Sequence, residues 1–357
     1  MPDRKAAKGK AGRGKGRRGT GDRGRGRKRT VLPSPLPLPL CPFPRLSIAV
    51  VGAGRLGTAL ARSLAAAGCE IDAVVARRIA RARRAAALIG TKAPALSAAQ
   101  LERLPKVDLL LLTTPDDALP EVVARLAALG KDDETPARPK VGARSRGAGA
   151  VALHASGALG SEVLAPLRER GYAVGSLHPL VSVSDARAGS EIFRGAYYCV
   201  EGDPAAVRLA RRLVRALGGQ SFTVATDRKA LYHAAAVMTS GHTVALFDTA
   251  ARLLALCGLT PARAREVLLP LLGSTFENLS ALPPPRALTG TYARADADTV
   301  RKHLSALADA GDHNALTVYT LLARHSLLLA EANGADPTSL KEITRLLERY
   351  SLEWKRS

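Results

Sequence analysis

Four cysteines, one tryptophan and an aromatic share of 4% are what this chain of 357 residues has little of. Cys41, Cys69, Cys199 and Cys257 stand far apart and form no C-x-x-C pair. That spacing excludes a disulfide framework and a thiolate metal site, so no metal is expected, and it suits a reducing, cytoplasmic setting. Apolar runs are short, and no membrane span or membrane partner is expected. Acidic residues are scarce too: 31 Asp and Glu stand against 53 Lys and Arg, a net charge of +22. Such an excess ordinarily points to nucleic acid. Its location argues otherwise. Residues 1–30 hold thirteen basic residues against Asp3 and Asp22, so half of the excess sits on a stretch too polar to bury a core. No aromatic residue interleaves those charges as a stacking platform would require. Nucleic-acid binding there is expected to be non-specific at most. Residues 31–44, VLPSPLPLPLCPFP, alternate proline with leucine and read as an extended linker. Residues 1–44 are therefore expected to form a disordered, dispensable tail.

What the chain does have is glycine in a particular setting. Ser47–Val51 reads as a short buried strand, and Gly52, Gly54 and Gly57 follow in a G-x-G-x-x-G spacing around Arg55 and Leu56. Thr58–Ala67 reads as a helix stopped by Gly68. Strand, tight turn and helix together make a dinucleotide-binding expectation. Gly52 permits the turn, Gly54 lets the backbone approach a pyrophosphate, and Gly57 lets helix and strand pack closely. The positive end of the helix dipole then faces the phosphates.

Glu70–Ala76 reads as the second strand, whose end meets the adenosine ribose in this kind of unit. An acid there suits NAD. Here the strand runs into Arg77 and Arg78, which can grip a 2′-phosphate, so NADP(H) is the expected cofactor. Arg81 and Arg84 are expected on the solvated face of a helix over 79–89. Lys106–Thr113 is a continuous apolar strand of the doubly covered kind. Thr114-Pro115-Asp116 should open the next helix, and Thr113, Thr114 and Pro115 should also meet the cofactor at the strand's carboxyl end. Residues 131–149 read as a surface insertion.

Strands over 150–154 and 172–177 end at His154 and at His178-Pro179, with Ser156 and Gly157 after the first and a helix over 159–170 between them. Two imidazoles at successive strand ends beside a nicotinamide site are candidates for acid–base work. A further strand-helix-strand unit covers 196–201, 204–217 and 221–224. After Thr226 the pattern is helical throughout: 227–256, 261–279, 298–310, 313–330 and 336–352, with a proline-rich loop over 282–296. Lys229 and His233, four apart, share one face of the first of these helices. The fold class is thus α/β plus all-α: a Rossmann-like domain over 45–225 and a helical domain over 226–357.

The blocks GAGRLGTALARSLAAAG, LHASGALGSEVL, GSLHPL, FRGAYYCVEGD, KALYHAAAV and ALTGTYARAD, in this order, resemble the Rossmann-like family whose second part is the domain of unknown function 2520. The wider layout resembles the β-hydroxyacid dehydrogenases, ketopantoate reductases, pyrroline-carboxylate reductases and prephenate dehydrogenases, with a helical domain like that of 6-phosphogluconate dehydrogenase. The resemblance implies an NADP(H)-dependent oxidoreductase that moves a hydride to or from a small oxo or hydroxy acid. It implies Lys229 as donor to the substrate oxygen and His233 in place of an Asn one turn later. It further implies His154 and His178 as catalytic groups in the prephenate manner, and a homodimer through the helical domain. Ser156 and Gly157 would line the substrate pocket, and Arg294 would hold a carboxylate. The alternative is a non-catalytic NADP(H)-binding sensor on the same fold.

Overall fold

The glycine turn sits inside one eight-stranded sheet. The structure, a computed structural model, describes residues 46–129 and 149–354. The tail over 1–44, with Cys41, and all but the last residue of the 131–149 insertion lie outside the described residues. In chain order the sheet half consists of β1 Ser47–Val51, α1 Arg55–Ala66, β2 Glu70–Ala76, α2 Ile79–Ile89, β3 Ala95–Ser97, β4 Leu109–Leu112 and α3 Leu119–Ala128. It continues with β5 Val151–His154, β6 Ala173–Pro179, β7 Tyr197–Gly202, α4 Pro204–Ala216 and β8 Gln220–Phe222. The strand order is β3-β2-β1-β4-β5-β6-β7-β8, parallel except that β7 runs against β6. Alternate strand residues feed two cores. Ile48, Val50, Leu109 and Leu111 pack under α1, α2 and α4. Ala49, Val51, Leu110 and Leu112 pack under α3. Burial on both faces is why these strands read as unbroken apolar runs.

Several boundaries differ from expectation. The helix after β4 starts at Leu119, with Pro120 in its first turn, so Thr114-Pro115-Asp116 is a loop and not a cap. The stretch before β6 is a 3₁₀ helix, Ser161–Arg170, with Pro166 inside it. β3 was not expected, being only three residues long.

The helical half opens with a 3₁₀ turn, Thr226–Arg228, followed by α5 Lys229–Thr239 and α6 Gly241–Leu256. The expected single helix over 227–256 breaks at Ser240, whose ψ of −75° turns the axis just before Gly241. Then come α7 Pro261–Ala281, the short turns α8 Pro284–Ala287 and α9 Gly290–Ala293, α10 Ala297–Asp309, α11 His313–Ala332 and α12 Pro337–Trp354. Asp296, Asp312 and Asp336 accept the first-turn N–H groups of Thr299, Ala315 and Ser339 at 3.0, 2.9 and 2.8 Å, which fixes where the last three helices start. Val300, Leu304, Leu316, Leu327, Ile343 and Leu347 form the core of α10–α12. By contrast α6 buries no side chain and α7 buries Ala264 alone.

Candidate functional site

The turn after β1 is shaped by what glycine leaves out. Gly52 has φ +102°, and a Cβ on it would lie 2.4 Å from the Thr114 backbone nitrogen. A Cβ on Gly57 would lie 2.1 Å from Thr113 Oγ1, whose hydroxyl donates to Gly52 O at 2.8 Å. Thr113 is thus spent on holding the turn shut. Gly54 is different: a Cβ there would meet nothing closer than Gly52 O at 3.8 Å. Gly54 is also the N-cap of α1 without a side-chain cap, and no acid stands in the first turn. The first amides of α1 therefore face open space beside the one glycine with room above it, which fits a pyrophosphate. Thr114 Oγ1, next to this turn, is a buried hydroxyl with no partner.

Beside the turn lies a cavity of about 210 Å³, lined by Gly54, Arg55, Arg81, Arg84, Ser184 and Arg187 among others. Arg55 donates to Ser184 O at 3.5 Å and Arg62 to Arg187 O at 2.7 Å, drawing the loop after β6 over the start of α1. Arg81 and Arg84, expected on a solvated face, are exposed but line this cavity. Arg77 and Arg78 are exposed at the end of β2 and are not among its lining residues.

At the carboxyl ends of β5 and β6 a second cluster forms. His154 is 0% exposed, with both ring nitrogens in use: Nδ1 accepts from Ser156 N at 3.2 Å, and Nε2 lies 3.2 Å from Gly160 O. Burial, reinforced by the Lys229 charge, pushes its pKa down to about 3. It is a neutral brace for the 155–160 turn, not a group with a free nitrogen. Ser156 is likewise occupied: its hydroxyl donates to Asp116 at 2.8 Å and accepts from Ala158 N and Leu159 N.

His178 and His233 face one another, ring centroids 5.4 Å apart. A Cβ on Gly157 would lie 2.2 Å from His233 Nδ1 and 2.8 Å from His178 Nε2, so glycine is what lets both imidazoles close on this turn. His233 Nδ1 is buried without a partner. His178 Nδ1 lies 2.6 Å from the Tyr232 hydroxyl. Burial, then the neighbouring His233 and Lys229, pushes the His178 pKa down to about 4.

Lys229, the donor that the resemblance implies, is 1% exposed. Its Nζ donates to Ser176 Oγ at 2.7 Å and Ser156 O at 3.3 Å, and lies 4.0 Å from Glu201 Oε1. Burial lowers its pKa against the opposing pull of Cys199 and Glu201. Glu201, absent from the expected site, is itself buried and accepts from Ser161 N and Ser161 Oγ at 2.9 and 2.7 Å. Arg294 is exposed and directly follows α9, which packs on α11; no hydrogen bond or ion pair joins it to Lys229 or the histidines. Ala295 beside it takes φ +51°. Among the described residues no group of three or more His, Cys, Asp and Glu is placed to hold a metal, and no helix is long and apolar enough to cross a membrane.

Fold and site define a Rossmann-like α/β protein with an all-helical C-terminal region. Residues 40–179 match the model of a Rossmann-like domain and residues 196–326 match that of a domain of unknown function, DUF2520, so the two matches follow one another in one polypeptide. No curated protein matches it. Among solved structures, a protein from Thermotoga maritima is 22% identical with a TM-score of 0.59, over 80% of this chain and 99% of that one. A candidate NADP oxidoreductase from Bacteroides fragilis is 23% identical with a TM-score of 0.61, over 79% and 98%. A 1-pyrroline-5-carboxylate reductase from Streptococcus pyogenes is 13% identical with a TM-score of 0.50, over 86% and 99%. At these identities the likeness establishes the fold.

Proposed function

We propose that this protein is an NADP(H)-dependent oxidoreductase acting on a small oxo or hydroxy acid. One observation carries the reading: along the carboxyl edge of a single sheet, the uncapped glycine turn follows β1 while the His178–His233 pair closes on the turn after β5. The cofactor, when bound, exchanges the hydride. The chain's own residues do the rest. Backbone amides of Arg55, Leu56 and Gly57 hold the pyrophosphate, and Thr114 and Pro115 border the nicotinamide end. The cationic walls formed by Arg77 and Arg78 at β2, and by Arg81 and Arg84 in the cavity, receive the 2′-phosphate. That arginines and no acid directly follow β2 supports NADP(H) over NAD(H). His178 and His233 hold and move the proton at the substrate oxygen. Lys229, with its ammonium already engaged by Ser156, Ser176 and Glu201, fixes the floor on which they stand.

Two copies are further proposed to pair through the helical half, supported by the apolar faces of α6 and α7. Val244, Leu256, Leu271 and Phe276 are 63–70% exposed. Monomers rarely present so much apolar surface in one region.

The test is consumption of NADPH, followed by absorbance, against a panel of 2-oxo acids and cyclic imines. Turnover of one panel member, lost in His178→Ala by about 10²–10⁴-fold, is the expected result. Tight NADPH binding with no turnover of any member would instead establish the sensor.

A further inference from the structure

Tyr232 belongs to no part of the reaction as described so far, yet it makes a short hydrogen bond to one of the paired histidines. Its hydroxyl lies 2.6 Å from His178 Nδ1. The ring is wedged edge-on between His178 and Phe222, centroids 5.6 and 5.8 Å away, and 6.0 Å from Lys229 Nζ. It sits on α5, between the lysine that ties that helix to the sheet and the histidine that faces Gly157. Its position is therefore fixed from three sides.

A neutral imidazole has one nitrogen that donates and one that accepts, and the partner of one nitrogen decides the state of the other. We propose that Tyr232 is a positioning residue: its hydroxyl donates to His178 Nδ1 and thereby holds His178 in the form that carries its proton on Nε2. Three observations support this direction. The phenol stays protonated, because burial raises its pKa further above neutrality. It therefore has one O–H to place, and His178 Nδ1 is the acceptor within reach. On the other side of the ring, Nε2 faces the point above Gly157 that His233 Nδ1 also faces, and that second nitrogen is buried with its bonding capacity unused. An N–H on His178 Nε2 then points into the space above Gly157 that an unpartnered nitrogen shares. The opposite form would leave Tyr232 as an acceptor with an idle proton.

This inference rests on the oxidoreductase reading for its consequence but not for its test. In that reading a neutral N–H on His178 is a hydrogen-bond donor for a carbonyl or hydroxyl oxygen, available without a prior protonation step. A group of this kind keeps its donor through the physiological pH range, since the ring does not titrate there.

The experiment is nitrogen NMR of the full-length protein labelled in histidine, with no substrate present, alongside Tyr232→Phe. Phenylalanine keeps the ring and its packing and deletes only the hydroxyl. The expected result is a His178 that is protonated on Nε2 and bare on Nδ1 in the unaltered protein. In Tyr232→Phe the same resonances should move toward a mixture of the two forms, while NADPH affinity stays within about twofold. A His178 protonated on Nδ1 in the unaltered protein would overturn the proposal, and so would an unmixed Nε2–H form in Tyr232→Phe. If the panel yields a substrate, Tyr232→Phe should lower kcat at least tenfold with KM within about twofold. Absence of any substrate would count against the oxidoreductase reading and leave the NMR result standing.

Discussion

The sheet half and the helical half use the same apolar residues to different ends. In the sheet half every long strand is covered on both faces, and α1, α2, α3 and α4 each sink a stripe into one of two cores. In the helical half, α10–α12 build a core of their own, but α6 and α7 leave theirs in the open. The first half covers its apolar residues within one chain; the second leaves those of α6 and α7 exposed. The joint between them is polar. Its buried anchor is Lys229, held by Ser156, Ser176 and Glu201, with Tyr232 beside it on His178 and Phe222. An apolar joint could slide, whereas a buried charge with fixed partners has one good position.

The largest expected effect comes from breaking that joint. Lys229→Ala leaves Glu201 buried beside an unfilled site and should cost about 3–5 kcal/mol of stability, read as a fall in the urea midpoint. Adding Glu201→Gln should recover part of the loss. An unchanged midpoint accompanied by lost turnover would return Lys229 to the chemistry itself.

The open face is tested next. Leu271→Glu with Phe276→Glu should weaken self-association at least 100-fold, about 3 kcal/mol, with light scattering reporting one chain where the unaltered protein gives two. NADPH affinity should hold. A pair that survives both charges would mean that the face of α7 is not where copies meet.

Smaller still is the effect expected in the cavity. Arg81→Ala with Arg84→Ala should cost NADPH about 1.5–3 kcal/mol of binding, measured by calorimetry, while NADH changes little. The same measurement on Arg77→Ala with Arg78→Ala ranks the two arginine pairs. Equal affinity of the unaltered protein for both cofactors would remove the assignment.

The smallest effect is a pH dependence confined to the sheet half. His154 and His178 have folded pKa values of about 3 and about 4, below the ordinary 6.5. Below pH 6.5 the unfolded chain takes up protons that the folded chain refuses. Stability is therefore full above that pH and declines as pH falls toward 4. Between pH 7 and pH 6 the loss should be about 1 kcal/mol. A flat profile over that interval would mean that these rings are not held neutral.

The same contrast explains what could be read from the sequence. β1, β2 and α2 were legible to the residue, because glycine turns and doubly buried strands leave strong local marks. β3 left almost none: three residues, with Leu96 alone buried. The break between α5 and α6 falls at Ser240-Gly241, a pair that weakens a helix without dictating where it ends. The site was legible as a set of residues but not as a set of roles. His154, Ser156 and Lys229 were correctly placed near one another, yet their hydrogen bonds show them to be occupied by the protein. Glu201 was missed because a glutamate at a strand end looks like any exposed polar residue; only the fold reveals Ser161 and Lys229 on it. Arg81 and Arg84 read as a helix surface because the loop over 184–187, which makes that surface one wall of a cavity, lies a hundred residues away.

The reversed strand β7 has a bearing on how such a chain could be recombined. The two family matches meet in the interval between residues 179 and 196, which invites the idea of interchangeable modules. The mechanical seam runs elsewhere. β7 belongs to the second match but hydrogen-bonds to β6 in the first, through pairs such as His178 with Cys199. Glu201, on that strand, reaches back to Ser161, and Lys229 reaches back to Ser156 and Ser176. A graft cut at the sequence boundary would carry Glu201 and Lys229 together and leave all three serines behind. The unit that can be inherited or transplanted intact is therefore the sheet with β7, β8 and the start of α5 attached, and partner helices would have to be exchanged beyond that point.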